Sequence, residues 1–329
     1  MKVVCFGEIL LRLSPPDGVR WLQTGAFDAH YGGSEANVAV SLAQLGIPAA
    51  FVSRVPSNDL GKAALGALAR YGVDTSPAVW GGERLGLYFL ENGVGRRGSK
   101  VIYDRKGSGM SEILPGMIPW RTVLEGADWL HWSGITCALS ENAAAATLEA
   151  LHIASEMGVR ISCDLNYRQQ LWHYATPESI MPELTAYVDL MLGDATAFDI
   201  YYGIRAENQE ILLAKVTERF PRLKSLAMSA RQGYSASHNA YQCFLFEGGK
   251  IFASPVYELP DMLDRIGAGD AFMAGLLFGK INGTDPEETV SFAAAAAALK
   301  HYVRGDFNLS SAAEIRALMG GSSGGHVQR

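Results

Sequence analysis

The chain has 329 residues, 48% of them hydrophobic and 19% charged, with a formal net charge of −6. This length supplies about two domains' worth of chain or one large α/β domain, with ample material for a core. The acidic balance argues against nucleic acid or an anionic membrane surface as a partner, while leaving room for a local basic pocket.

The N-terminal "MKVVCFGEIL" is interrupted by Glu8 too soon for a signal peptide. No run approaches the roughly 18 apolar residues of a membrane span. The longest candidate, "FAAAAAALKHYV", is short and broken by charge. Cys5, Cys137, Cys163 and Cys243 make no CxxC and sit in apolar segments. They read as buried thiols in a reducing compartment. The seven histidines show no zinc spacing. A soluble cytoplasmic protein is expected.

In chain order, "KVVCF" predicts a strand. Leu10–His30, with "SPPDG", is rich in turn residues and breaks the pattern that follows. Ser34–Leu45 predicts a helix closed by Gly46, "AAFVSRV" a strand, and Leu60–Tyr71 a helix. Leu85–Arg105 reads as two strands around a turn. Beyond it, "DWLHWSG", "VRISCDL", "VDLMLG" and "KSLAMSA" predict strands, with helices at Ser140–Met157 and Asn208–Phe220. Several strands are apolar without alternation, as expected when both sheet faces are covered. The succession argues for an α/β fold: a doubly wound, mostly parallel sheet flanked by helices. Segments 10–31 and 85–106 would add a small β-sheet lid to a single domain over 1–320. Residues 321–329 form a low-complexity tail. The apolar hairpin face of Leu85, Leu87 and Phe89 would either pair with a second subunit or cover a ligand.

Gly93, Gly95 and Gly98 spell G-x-G-x-x-G. A dinucleotide fingerprint follows a strand and opens a helix, whereas this one precedes the strand "KVIYDR" and reads as a hairpin turn. A nucleotide-dependent dehydrogenase would rest on these glycines alone.

"DRIGAGDAFMAG" (264–275) places Asp270 where the chain enters an apolar helix. Gly267 and Gly269 allow a tight turn. The helix start leaves free N–H groups and a partial positive charge, an anion site suited to a phosphoryl group. Asp270 would stand beside that anion, able to take a proton from an attacking hydroxyl. Taken alone, it also fits an ordinary first-turn acid. "YGGSEANVAVSLAQLG" places Gly32 and Gly33 before a helix, with Asn37 one turn in. Asn37 offers a donor and an acceptor to hydroxyls, or serves only its own helix.

The pair "GGSEANVAVSLAQLG" and "DRIGAGDAFMAGL" resembles the two signatures of the phosphofructokinase-B, or ribokinase-like, carbohydrate kinases, over essentially the whole chain. "RVPSNDLGKAAL" is similar to that family's G-x-D-x-x-G segment at Gly61, with Pro56 and Asn58 replacing the first glycine and the acid. The resemblance implies ATP with Mg²⁺ as donor, Asp270 as base, and Gly267, Ala268 and Gly269 as anion hole. Gly32, Gly33 and Asn37 would hold sugar hydroxyls, and Asp264 is a candidate ligand of a monovalent cation such as K⁺. Such a reaction needs mainly positioning and charge stabilisation.

"VIYDRKGS" places Tyr103 and Arg105 at a strand end, "HWSGITCALS" places Ile135, and "DLNYRQQLW" places Asp164, Asn166 and Arg168. Ligands of α/β sheets bind beyond strand carboxyl ends. There Arg105 and Arg168 could converge on one carboxylate; each alone also fits a solvated surface charge. Together with "SASHNAYQCFLF" and "GDFN", these segments resemble the 2-keto-3-deoxygluconate kinase branch. That implies Tyr88, Tyr103, Arg105, Ile135, Arg168 and Asp306 at a sugar acid.

Two stretches depart from the family. In "GDATAFD", Asp194 stands where Asn is usual, and Thr196 and Ala197 stand where acids are expected. "SARQG", carrying Ser229, Arg231 and Gly233, replaces the nucleotide-side T-x-G. The expected function is ATP-dependent phosphorylation of the terminal hydroxyl of a sugar acid. The alternatives are a fructokinase or other neutral-sugar kinase, and a degenerate protein that only binds sugar acid and nucleotide.

Overall fold

The computed structural model describes residues 1–321; of the tail expected at 321–329, all but Gly321 lies outside the described residues. The core is a nine-stranded sheet. From one edge it runs Lys250–Ala253, Asn239–Glu247, Ser225–Gly233, Leu190–Leu192, Arg160–Asp164, Trp129–Ser133, Val3–Phe6 and Ala49–Val52, with Tyr257–Leu259 also on Asn239–Glu247. The six strands from Ser225–Gly233 to Ala49–Val52 are parallel, and the rest join antiparallel.

Val3–Phe6 pairs with Ala49–Val52 on one side and Trp129–Ser133 on the other. Strand order therefore reverses between Val3–Phe6 and Trp129–Ser133. That reversal opens a crevice at the strands' carboxyl ends, where ligands of such sheets bind. Both faces are covered: Val3, Cys5, Phe51 and Leu190 pack into one buried layer, and Val4, Phe6, Val52 and Met191 into the other. That is why these strands are apolar at every position. The four cysteines are buried free thiols within these layers.

The expected strands and helices stand where the pattern put them, with one split. "AAFVSRV" breaks at Ser53: Arg54–Val55 leaves the main sheet and pairs with Val79–Trp80. The alanine-rich run forms the buried Pro286–Lys300 helix, packed on Ala268–Asn282. Among the described residues no helix is long and apolar enough to cross a membrane.

The lid is a four-stranded sheet ordered Asp28–Gly32, Leu10–Ser14, Gly86–Glu91, Lys100–Asp104. The three glycines of the G-x-G-x-x-G string lie in its hairpin connection, where Val94 bridges Arg97. Alternation along Gly86–Glu91 decides which face meets the ligand. Tyr88 and Leu90 pack inward with Leu10 and Ile266, while Leu87 and Phe89 lie on the opposite face. The Leu87 and Phe89 face therefore does not cover a ligand. Leu85 is buried in the main core.

Candidate active site

A cavity of about 360 Å³ lies between the lid's inner face and the carboxyl ends of the parallel strands. Leu10, Tyr88, Val101 and Tyr103 line it from the lid. Ile135, Asp164, Asp194, Ser229 and Arg231 line it from the strand ends, and Gly267, Gly269 and Asp270 from the glycine turn.

The Ala268–Asn282 helix begins after Gly267, whose φ of 84° is left-handed; a Cβ there would collide with the Asp306 carbonyl. Only glycine makes this turn at such close approach. The first intrahelical bond is Ala271 N–H to Gly267 O, 2.9 Å. The preceding N–H groups thus have no acceptor inside the helix, and the turn faces the cavity. A Cβ on Gly269 would meet nothing within 4 Å, so space is left at this point for a docking group.

Asp270 stands in the first turn and is 7% exposed. Its two carboxylate oxygens accept from Ser34 Oγ (2.8 Å) and Asn37 Nδ2 (2.7 Å), both on the Ser34–Gln44 helix. Burial pushes its pKa up to about 6, against the lowering effect of those two hydrogen bonds. The partners are neutral, so Asp270 keeps basic lone pairs near neutral pH. Asn166 Nδ2 in turn donates to Ser34 Oγ at 3.2 Å, from a backbone held at φ 36°.

Asn37 therefore serves the carboxylate before any ligand: Nδ2 is on Asp270, and Oδ1 accepts the Gly33 N–H at 3.3 Å. Gly33 is needed for packing, because a Cβ would strike the Glu8 carbonyl. Gly32, Ala268 and Gly233 do not line the cavity. Gly32 backs onto the Asp306 carboxylate, Ala268 is fully buried in the helix start, and Gly233 ends its strand near Asn239.

The two arginines face one cavity in different states. Arg105 is buried, and its Nε donates to Glu8 Oε2 at 2.6 Å, while neither Nη group has a hydrogen-bond partner among the described residues. Arg168 is exposed, with no ion pair among the described residues and one bond to the Tyr167 carbonyl. Asp164 lines the same cavity, and burial, then the nearby Asp270 charge, raise its pKa to about 8.

Asp194, which lines the cavity, caps the Ala195–Tyr202 helix through Ala197 N–H (2.8 Å). The changed "GDATAFD" therefore keeps a cavity-lining oxygen group. Arg231 and Arg265 line the same cavity; burial, then Arg231, lowers the pKa of Arg265.

Asp306 and Asp264 are committed elsewhere. Asp306 accepts from Tyr88 Oη and pairs with Arg12 Nη1 at 3.0 Å; Asp264 pairs with Arg12 Nη2 at 2.7 Å. Asp306 still reaches the cavity wall, whereas Asp264 does not.

Ser34, Glu8, Arg12 and Arg265 were not singled out from the sequence. Neither was Glu35, which is fully buried and accepts from Ser133 N (3.0 Å), Ser133 Oγ (2.6 Å) and Thr136 Oγ1 (2.7 Å) at the strand-order reversal. Ser34 and Glu35 sit inside the quoted glycine motif, so its polar first turn was the available signal.

The model of the pfkB family carbohydrate kinases matches residues 1–311. The chain belongs to this family. This PfkB carbohydrate kinase is 33% identical over 325 residues to the 2-dehydro-3-deoxygalactonokinase of Haloferax volcanii, covering 98% of each chain. The crystal structure of 2-dehydro-3-deoxygluconokinase from Thermotoga maritima matches the PfkB chain with a TM-score of 0.94 and 42% identity. The match covers 97% of this chain and 99% of that one. A structure from E. coli described as ribokinase II in complex with ATP and Mg²⁺ shares the PfkB fold at TM-score 0.81 and 21% identity, covering 97% and 99%.

Proposed function

We propose that this PfkB kinase transfers the γ-phosphoryl group of ATP to the terminal primary hydroxyl of a 2-keto-3-deoxy sugar acid, most simply 2-keto-3-deoxygluconate, giving its 6-phosphate and ADP. One observation carries the proposal. The buried Asp270 opens a glycine-turn helix facing the same cavity as Arg105 and Arg168.

The sugar's carboxylate would lie against the arginines, whose forked donors match it. Its far hydroxyl would then reach Asp270. Ser34 and Asn37 hold both carboxylate oxygens, fixing the direction in which the base points. The hydroxyl oxygen bonds to the γ-phosphorus as the bond to the ADP oxygen breaks, and the hydroxyl proton passes to Asp270. Charge on the moving phosphoryl group would be met by the N–H groups of the Gly267–Gly269 turn.

Arg231 and Arg265 suit the polyphosphate end. Asp164 and Asp194 offer oxygen donors of the kind Mg²⁺ takes with several of its own waters. When bound, Mg²⁺ neutralises phosphate charge. The E. coli neighbour with ATP and Mg²⁺ supports this choice of donor. Relatives named for the 2-dehydro-3-deoxy acids include both the gluconate and the galactonate form, which are epimers at C4, and others are named 5-dehydro-2-deoxygluconokinase, so both epimers belong in the test beside the 5-keto acid.

ADP release should be measured with ATP and Mg²⁺ on both 2-keto-3-deoxy acids and the 5-keto acid, beside fructose, ribose and gluconate, with Asp270→Ala as blank. Turnover on a keto-deoxy acid and not on neutral sugars is expected. Turnover on a neutral sugar alone would overturn the role of the arginines. Binding of sugar acid without turnover would make the chain a binding protein.

A further inference from the structure

We propose that the ammonium of Lys300 is the built-in cation behind the anion hole, taking the place of a monovalent metal ion and freeing the reaction from K⁺. The inference rests on the phosphoryl-transfer reading above, which gives the glycine turn its function.

Lys300 is fully buried at the end of the Pro286–Lys300 helix, whose carbonyl terminus favours a cation. Its Nζ donates to the Val303 carbonyl at 3.0 Å. Its Cε lies 3.2 Å from the point where a Cβ of Gly267 would stand. The side chain therefore runs directly behind the turn that opens the Ala268–Asn282 helix. The two segments are stitched together there: Leu263 and Asp264 N–H both bond to His301 O (2.9 and 3.1 Å), and Gly305 N–H bonds to Asp264 Oδ2 (3.2 Å).

The residues present do not fit a metal ion at this place. Asp264, the acid that family resemblance assigns to the cation, has Oδ2 on Arg12 and Gly305 and Oδ1 on the Ile266 N–H. The Val303 carbonyl is used by Lys300 itself. Arg12 pairs with both Asp264 and Asp306 in a region closed to solvent, and the buried Lys300 ammonium adds a second positive charge near them, so a further cation would find no uncompensated charge. A buried ammonium is costly unless it is hydrogen-bonded and compensated; the Val303 carbonyl accepts from Nζ, and the nearby Asp264 and Asp306 charges favour the charged form without pairing with it directly. Burial lowers the pKa of Lys300, while Asp264 and then Asp306 oppose the shift. Lys300 does not touch the phosphoryl group. It is a positioning residue that fixes the turn and adds to the positive end of the helix.

The test compares turnover, and separately melting temperature, in buffer whose monovalent cation is tetramethylammonium or K⁺ at equal ionic strength. The native enzyme should change by less than about twofold in kcat and show no K⁺-specific rise in melting temperature, since bound ligands stabilise by mass action. Lys300→Met should lose about tenfold or more in kcat, less than loss of a direct oxyanion donor. K⁺ should restore part of that loss, where tetramethylammonium does not. K⁺-dependent turnover or K⁺-specific stabilisation of the native enzyme overturns the proposal. So does a folded Lys300→Met enzyme of full activity. If Lys300→Met does not fold, the native enzyme's response to K⁺ decides alone. Absence of turnover on every sugar in both cations would instead defeat the kinase reading, and the melting comparison would still test Lys300.

Discussion

Asp270 and Asp306 are both buried at the same cavity, yet their partners divide their work. Asp270 is held by two neutral donors, Ser34 and Asn37. Asp306 is held by the Arg12 guanidinium and by the hydroxyl of Tyr88. Burial raises the pKa of both acids; at Asp306 the largest opposing influence is the Arg12 charge, while at Asp270 it is a hydrogen bond from Asn37. A neutral cradle orients a carboxylate and leaves it able to accept a proton. A guanidinium locks it into structure. Equal burial therefore says little about role until the partner's charge is known.

The largest effect should separate the two in activity. Asp270→Asn keeps shape and removes the base, so kcat should fall by about 10²–10⁴-fold with the circular dichroism spectrum unchanged. Full activity in that variant would erase the distinction.

Stability should move in opposite directions. Arg12→Met strands two buried carboxylates and should cost about 3–5 kcal/mol in denaturant unfolding. Asp270→Asn should instead gain stability at pH 8. The folded pKa of about 6 lies above the ordinary 3.8, so protonated Asp270 favours folding fully below 3.8. That contribution is lost as pH rises through about 6, and the variant escapes the loss. A stability gain of at most about 3 kcal/mol follows from a shift of two pKa units. Equal destabilisation by both substitutions would place Asp270 with the structural acids.

Arg168 and Arg105 extend the comparison to cations. Among the described residues Arg168 makes no ion pair, where Arg105 is pinned by Glu8. Arg168→Ala should raise KM for the acid sugar by about 10-fold or more, the scale of a charge-assisted bond, with KM for ATP nearly unchanged. Equal effects on both would indicate a folding role.

The smallest effect should come from Ser34→Ala. Its hydrogen bond lowers the Asp270 pKa, so its loss should move the acid limb of the rate profile to higher pH by about half a unit to one unit. A limb that moves to lower pH would contradict the cradle.

What the sequence made legible follows from range. The Ala268–Asn282 helix, its glycine turn and the parallel strands announce themselves within short windows, through glycine placement and unbroken apolar runs. Asp270's partners do not: Ser34 and Asn37 stand 236 and 233 positions away. Glu8 and Arg105 are 97 positions apart, and Arg12 and Asp306 are 294 apart. Only the fold brings them together. The antiparallel strands Asn239–Glu247 and Lys250–Ala253 were not read as elements, because their polar interruptions mask the period. The Pro177–Thr185 helix was hidden by its internal Pro182, which ordinarily signals a break.

The most direct measurement is the pH dependence of kcat/KM on the sugar acid for the native enzyme and for Asp270→Asn. The native profile should rise tenfold per pH unit below about 6 and level off above it, because the base must be ionised. The variant should be slow and lack that limb. A limb near 6 that persists unchanged in Asp270→Asn would show that another group takes the proton.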